Sequence, residues 1–194
     1  MGQLRRPPAA HPGDRGQTRM GSGMMVDKDS MPIETIGAIE ELRAWISVLL
    51  SLSGAPQLQG LRAVQGDLTA LVDQIGKPGT PLLSQQSLDR LDAAVERLDA
   101  DLAANGPNAI VGALPTSAFA QLAHAVCRRA ERRLFELSRF TTIVDTLLLS
   151  EGDTDAEGED LALAYLNRLS DLLHLIGARR GPQPIPVAIA GDDQ

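Results

Sequence analysis

From Pro32 onward, apolar residues return every three or four positions almost without interruption, and that spacing leaves little room for anything but α-helices. Ile36, Ile39, Leu42, Trp45, Ile46 and Leu49 form one stripe. It predicts a helix over Pro32 to Leu52, capped by Ser30 and ended by Gly54-Ala55-Pro56. Leu58, Leu61, Val64, Leu68, Leu71 and Val72 form a second, over 57–75, stopped by Gly76-Lys77-Pro78-Gly79. Leu88, Leu91, Val95, Leu98 and Leu102 form a third, over 84–104. A connector rich in Gly, Pro and Ala, 105–115, leads into a long fourth helix over 116–150, with a break expected near Thr141-Thr142. After an acidic loop, 151–158, a fifth helix runs over 159–180 until Gly181-Pro182. Residues 1–31 read as irregular and 181–194 as a loose tail, and no period-two segment reads as a strand. The expected fold is all-α, a five-helix antiparallel bundle over 32–180.

Composition narrows the function classes. Aromatics are 3% of the 194 residues, so the core must be aliphatic. At 43% hydrophobic and 22% charged, the chain has the makings of one folded domain. A net charge of −7 with so few stacking rings argues against a general nucleic-acid binder. The single cysteine, Cys127, excludes an internal disulfide. No apolar run approaches a membrane span, and MGQLRRPPAAHPGDRG lacks the apolar core of a secretory leader, so a cytoplasmic location is expected.

Three segments carry chemistry. In Ala125-Val126-Cys127-Arg128-Arg129-Ala130-Glu131-Arg132-Arg133, four arginines fall within six residues of an acidic chain. At about 100° per residue, Val126, Ala130, Leu134 and Leu137 share an apolar side, while His124, Arg128, Glu131 and Phe135 share the opposite one. That strip suits an anion pocket or a subunit interface, and equally a solvated face laced with weak ion pairs. In Tyr165-Leu166-Asn167-Arg168-Leu169-Ser170-Asp171, Asn167 lies between two leucines and reads as a buried amide needing partners, for a ligand or for bundle specificity. The glycines of Pro12-Gly13-Asp14-Arg15-Gly16-Gln17-Thr18 and Gly21-Ser22-Gly23, with Lys28, suit backbone cradling of phosphate, or simply a flexible leader. No metal centre is expected. Asp171-Leu172-Leu173-His174 is one imperfect copy of a Glu-x-x-His pair, His174 reads as a helix-end polar residue, and Cys127 reads as core packing.

The run AVCRRAERRLFEL followed by YLNRLSDLLHLIGAR resembles the C-terminal half of ATP:cob(I)alamin adenosyltransferases of the propanediol-utilisation type, where R-x-V-C-R-R-A-E-R precedes Y-L-N-R-L-S-D. The family's T-G-D-x-G-x-T, G-G, Val-x-Lys-Asp and E-A-Y-G-x-x-D-E-L-N fall without a gap on Pro12 to Thr18, Ser22-Gly23, Val26 to Asp29 and Glu34 to Arg43. The resemblance covers roughly residues 12 to 180, apart from a weak middle. It implies a trimer of five-helix bundles with ATP at subunit interfaces, acting on small-molecule substrates rather than nucleic acid or membrane. The implied reaction transfers the 5′-deoxyadenosyl group of ATP to the cobalt of cob(I)alamin, releasing triphosphate, with Mg²⁺ at the phosphates. By matching position, Gly13, Asp14, Gly16, Thr18 and Lys28 inherit the phosphate loop, and Arg128, Glu131 and Asn167 inherit contacts to ATP. Glu40 and His124 stand where the family pairs an Asp with an Arg across the interface near the corrinoid.

The departures define the alternatives. His11 and Pro12 replace a basic residue and a threonine, Arg43 replaces the Asn of D-E-L-N, and Asn108 stands where the family has a phenylalanine under the corrinoid. Those at His11 and Asn108 favour a scaffold turned to another substrate, or a non-catalytic nucleotide- or corrinoid-binding homologue. Intact Arg128, Glu131 and Asn167 favour the transferase.

Overall fold

The computed structural model of the chain describes residues 11, 13–52, 60–78, 82–106, 115–148 and 156–178. Gly54-Ala55-Pro56, Pro12, Asn108, most of the acidic loop and the C-terminal tail lie outside the described residues. The elements are β1 (Gln17–Arg19), β2 (Met25–Asp27), α1 (Met31–Leu52), α2 (Gly60–Gly76), α3 (Gln85–Asn105), α4 (Pro115–Leu148) and α5 (Ala156–Ala178). Five helices stand where the three–four spacing put them, with ends shifted by a few residues, most at the starts of α2 and α5.

Three local expectations need correcting. Residues 17–27 form an antiparallel hairpin with Thr18 opposite Val26, whose three-residue strands are too short to show an alternating pattern in sequence. Ser30 holds the start of α1 through its carbonyl, which accepts from the Glu34 N–H at 3.0 Å, while its buried hydroxyl has no partner among the described residues. The expected break in α4 is absent, because Thr141 folds its hydroxyl back onto the Leu137 carbonyl at 3.1 Å and leaves the helix intact. Elsewhere the local signals hold. Ser84 caps α3 by accepting from the Ser87 N–H, and Gly106, at φ 72°, ends it with its N–H on the Leu102 carbonyl at 2.7 Å.

The core is aliphatic. Ile39, Leu42, Ile46 and Leu49 of α1, Leu61, Leu68 and Leu71 of α2, and Leu166, Leu169 and Leu173 of α5 are buried together. Helix α4 is central and packs against both α1 and α5. Its buried face is lined by the small residues Ala120, Ala123, Cys127 and Ala130, which let two neighbours approach one helix closely. Thr35 to Arg133, Glu41 to Arg129 and Trp45 to Phe119 run in opposite order along α1 and α4, so these helices are antiparallel. No helix among the described residues is long and apolar enough to cross a membrane.

Candidate functional site

Most of the expected site residues fall into two groups, the N-terminal loop and the seam between α4 and α5. The first is the N-terminal loop. Gly13 and Gly16 take φ values of 95° and 81°, a backbone region open to glycine and strained for other residues. The His11 N–H donates to the Asp14 carboxylate at 2.7 Å, and the Asp14 N–H returns to the His11 carbonyl at 3.2 Å, closing a tight turn. The Lys28 N–H donates to the Gly16 carbonyl at 2.8 Å, and its Nζ stands 3.2 Å from where a Gly13 Cβ would be. Thr18 sits in β1 opposite Val26, next to the Gln17–Asp27 pair, where Gln17 Nε2 donates to the Asp27 carboxylate at 3.2 Å. The far end is anchored by buried Met20 and by the Ser22 N–H, which donates to the Gly76 carbonyl of α2 at 2.9 Å. The hairpin thus brings Gly13, Asp14, Gly16 and Lys28 into one concave turn with an ammonium over it.

The second group lies in the groove between α4 and α5. The arginine-rich segment divides its charges between two sides of α4. Arg129 pairs with Glu41, and Arg133 with Glu34 at 4.0 Å and Glu136 at 3.0 Å, all on the side toward α1. Arg128 lies on the other side, exposed, with no ion-pair partner among the described residues, and Glu131 is half-buried beside it one turn on. A face built for stability would have used Arg128 and Glu131 as a pair, so their freedom sets them apart from their neighbours. Phe135, 52% exposed, continues the strip, with the Arg139 guanidinium 5.9 Å from its ring centre.

Helix α5 closes the groove from its other edge. The His124 Nδ1 donates to the Ser170 carbonyl at 2.9 Å. Cys127 Sγ donates to the Leu166 carbonyl at 3.3 Å, and Ser117 Oγ reaches the Gly177 carbonyl. These three bonds run in opposite order along the two helices and fix their register. They set Cys127 and Arg128 level with Leu166 and Asn167. Burial in the core pushes the Cys127 thiol well up, with Glu131 adding to the effect, so the thiol stays neutral. Cys127 is therefore core packing, as expected, with a hydrogen bond the sequence did not reveal. Asn167 corrects another expectation, since it is exposed at the groove rather than buried. His174 was missed. Its ring lies 5.4 Å from that of His124.

Glu40 is not part of this groove. It is exposed on α1, about 100° around the helix from Glu41, on a side turned away from α4. Next to it, Arg43 keeps a buried Nε without a hydrogen-bond partner among the described residues, and nothing in the structure explains this. No group of three His, Cys, Asp or Glu side chains that would hold a metal ion exists among the described residues. The loop offers the single carboxylate of Asp14, which fits an Mg²⁺ carried in by nucleotide phosphates rather than a resident ion.

Known proteins share this sequence and this fold. The sequence profile of the family described as cobalamin adenosyltransferase matches residues 9–179. A cobalamin adenosyltransferase from Cupriavidus metallidurans is 34% identical over 170 residues, spanning 87% of this chain and 84% of that protein. A corrinoid adenosyltransferase from Mycobacterium tuberculosis is 31% identical over 183 residues, spanning 88% and 86%. Among solved structures, a variant PduO-type ATP:corrinoid adenosyltransferase from Lactobacillus reuteri complexed with cobalamin and ATP superposes with a TM-score of 0.66 at 20% identity, covering 86% of this chain and 89% of that one. Another variant from the same source, complexed with ATP, gives 0.68 at 19% identity with the same coverage, and both share the helical fold. Matched along nearly its whole described length, the chain belongs to the cobalamin adenosyltransferase family.

Proposed function

We propose that the chain transfers the 5′-deoxyadenosyl group of ATP to the cobalt of a reduced corrinoid, in the cytoplasm, and that it works as a homotrimer. One observation carries the reading beyond family membership. Arg128, Glu131 and Asn167 keep the family's residue types, and Arg128 and Asn167 are exposed on helices that pack together, with Arg128 unpaired among the described residues. Among the described residues no hydrogen bond or ion pair joins the loop to Arg128, Glu131 or Asn167, or Glu40 to His124. That separation supports a site completed between chains, with the loop of one subunit meeting the groove of its neighbour.

In this reading the cobalt(I) electron pair attacks the ribose 5′-carbon. A cobalt–carbon bond forms, the carbon–oxygen bond to the triphosphate breaks, and triphosphate leaves with that bond's electron pair. No proton transfer is required, so the chain's task is positioning and charge neutralisation. The turn around Gly13 and Gly16 and the Lys28 ammonium hold the triphosphate with its Mg²⁺. Arg128 adds a fixed guanidinium fork, Glu131 accepts from donors on the nucleoside, and the Asn167 amide pairs with its polar edge. Glu40 and His124 meet across the interface at the corrinoid. Titration calorimetry with MgATP is the test. Saturable binding, one site per chain, supports the reading, and no heat of binding at millimolar ATP sinks it.

A further inference from the structure

Asn167 is exposed, but the residues around it are tied to the rest of the bundle. The Tyr165 hydroxyl donates to Asp67 Oδ2 of α2 at 2.9 Å. The Leu166 and Ser170 carbonyls accept from Cys127 and His124 of α4. Arg168 pairs with Asp92 of α3. Ser170 Oγ donates to the carbonyl of Asn167 itself at 2.9 Å. The Asp67 carboxylate also accepts from Ser87 Oγ at 2.8 Å and from Arg90 at 3.0 Å, both on α3. Tyr165 is fully buried, and it is the largest such side chain among the described residues.

These tethers exceed what α5 needs to be a stable helix. Its carbonyls already accept the N–H four residues on, and Tyr165 would fill its core position equally well as a phenylalanine. A hydroxyl inside an aliphatic core costs free energy unless it is bonded, so its presence calls for a role that packing does not supply. The bond to Asp67 acts at a long lever arm from the α5 axis, so it fixes the roll of the helix. The Cys127 and His124 bonds fix its height against α4.

We infer that Tyr165, acting through Asp67, is a positioning residue that holds the roll of α5 so that Asn167 meets the nucleotide level with Arg128. The inference rests on the proposed contact between Asn167 and ATP. It names a residue that does not touch the ligand, and it accounts for a buried tyrosine bonded into a half-buried network. Asp67 keeps Arg90 and Ser87 when the hydroxyl is removed, so Tyr165→Phe tests the tether without leaving a bare buried carboxylate.

A double-mutant cycle read by MgATP calorimetry decides the matter. Asn167→Ala is expected to weaken binding about tenfold or more, and Tyr165→Phe about three- to tenfold, the range of one lost hydrogen bond. The double variant is expected to bind like Asn167→Ala alone. Thr35→Val, which removes a hydroxyl tether between α1 and α4, serves as a control for general loosening and should leave ATP affinity unchanged. Additive effects in the double variant, no effect of Tyr165→Phe, or an equal loss in Thr35→Val would each overturn the inference. If the unaltered chain binds ATP but Asn167→Ala binds it as tightly, the contact itself is wrong and the inference falls with it, while the nucleotide reading stands.

Discussion

Arg128 and Arg129 are adjacent and equally basic, and the structure gives them different work. Arg129 is spent on Glu41 at the surface, where such a pair contributes at most about 1 kcal/mol. Arg128 faces the groove without a partner among the described residues. Arg128→Ala should therefore weaken MgATP binding by about 1.5–3 kcal/mol, the range of a charge-assisted bond, while barely moving the melting temperature. Arg129→Ala should leave ATP affinity alone and cost a little stability. Calorimetry and thermal melts on the two variants check the contrast. Sequence spacing placed Arg128 on the strip with His124, Glu131 and Phe135, and that much was legible. Which of Arg128 and Arg129 is already neutralised was not, because the Glu41 partner of Arg129 lies on another helix 88 positions away. Asn167 shows the same limit from the other direction: its leucine neighbours suggested burial, and only the packing of α5 against α4 shows it at the edge.

The neutral Cys127 thiol predicts a pH effect. Burial raises its folded-state pKa above the ordinary thiol range of about 8.5. Below that range both states hold the proton and the thiol adds no pH dependence to stability. As pH rises past it, only the unfolded chain releases the proton, so stability falls. Chemical denaturation between neutral pH and about pH 10 should show this fall reduced in Cys127→Val. Iodoacetamide should label the thiol in denaturant and hardly at all in the folded protein.

At the scale of elements, α4 and α5 are the most tightly specified pair. Gly177 permits their approach, since a Cβ there would stand 3.0 Å from Gln121 Cδ and 3.1 Å from its Cγ. Gly177→Ala should lower stability by about 1–3 kcal/mol as an overpacked contact, and adding Gln121→Ala should recover most of the loss. Melting the single and double variants tests it. The helices themselves were legible because a three–four stripe carries its own geometry. The β1–β2 hairpin was not, since its strands are three residues each and it is held by glycine turns and by a bond to the end of α2. The sequence groups Gly13 with Lys28 as a phosphate cradle or a flexible leader, and the hairpin register is what brings the ammonium to the loop.

For the whole molecule, the loop and the groove of one chain make a quaternary prediction. Solution mass should give a trimer at micromolar concentration. Lys28→Ala and Arg128→Ala chains, each impaired alone, should regain activity when unfolded and refolded together, because a mixed trimer restores one interface with both groups intact. Recovery no greater than the sum of the separate proteins would show that loop and groove serve one chain.

The central claim is the transfer itself. Incubating the chain with MgATP and chemically reduced cob(I)alamin, and quantifying adenosylcobalamin and triphosphate by chromatography, tests it most directly. The account predicts the two products in equal amounts, growing with enzyme and greatly diminished in Arg128→Ala. Triphosphate or diphosphate without adenosylcobalamin, or no turnover of a chain shown to bind ATP, would contradict it.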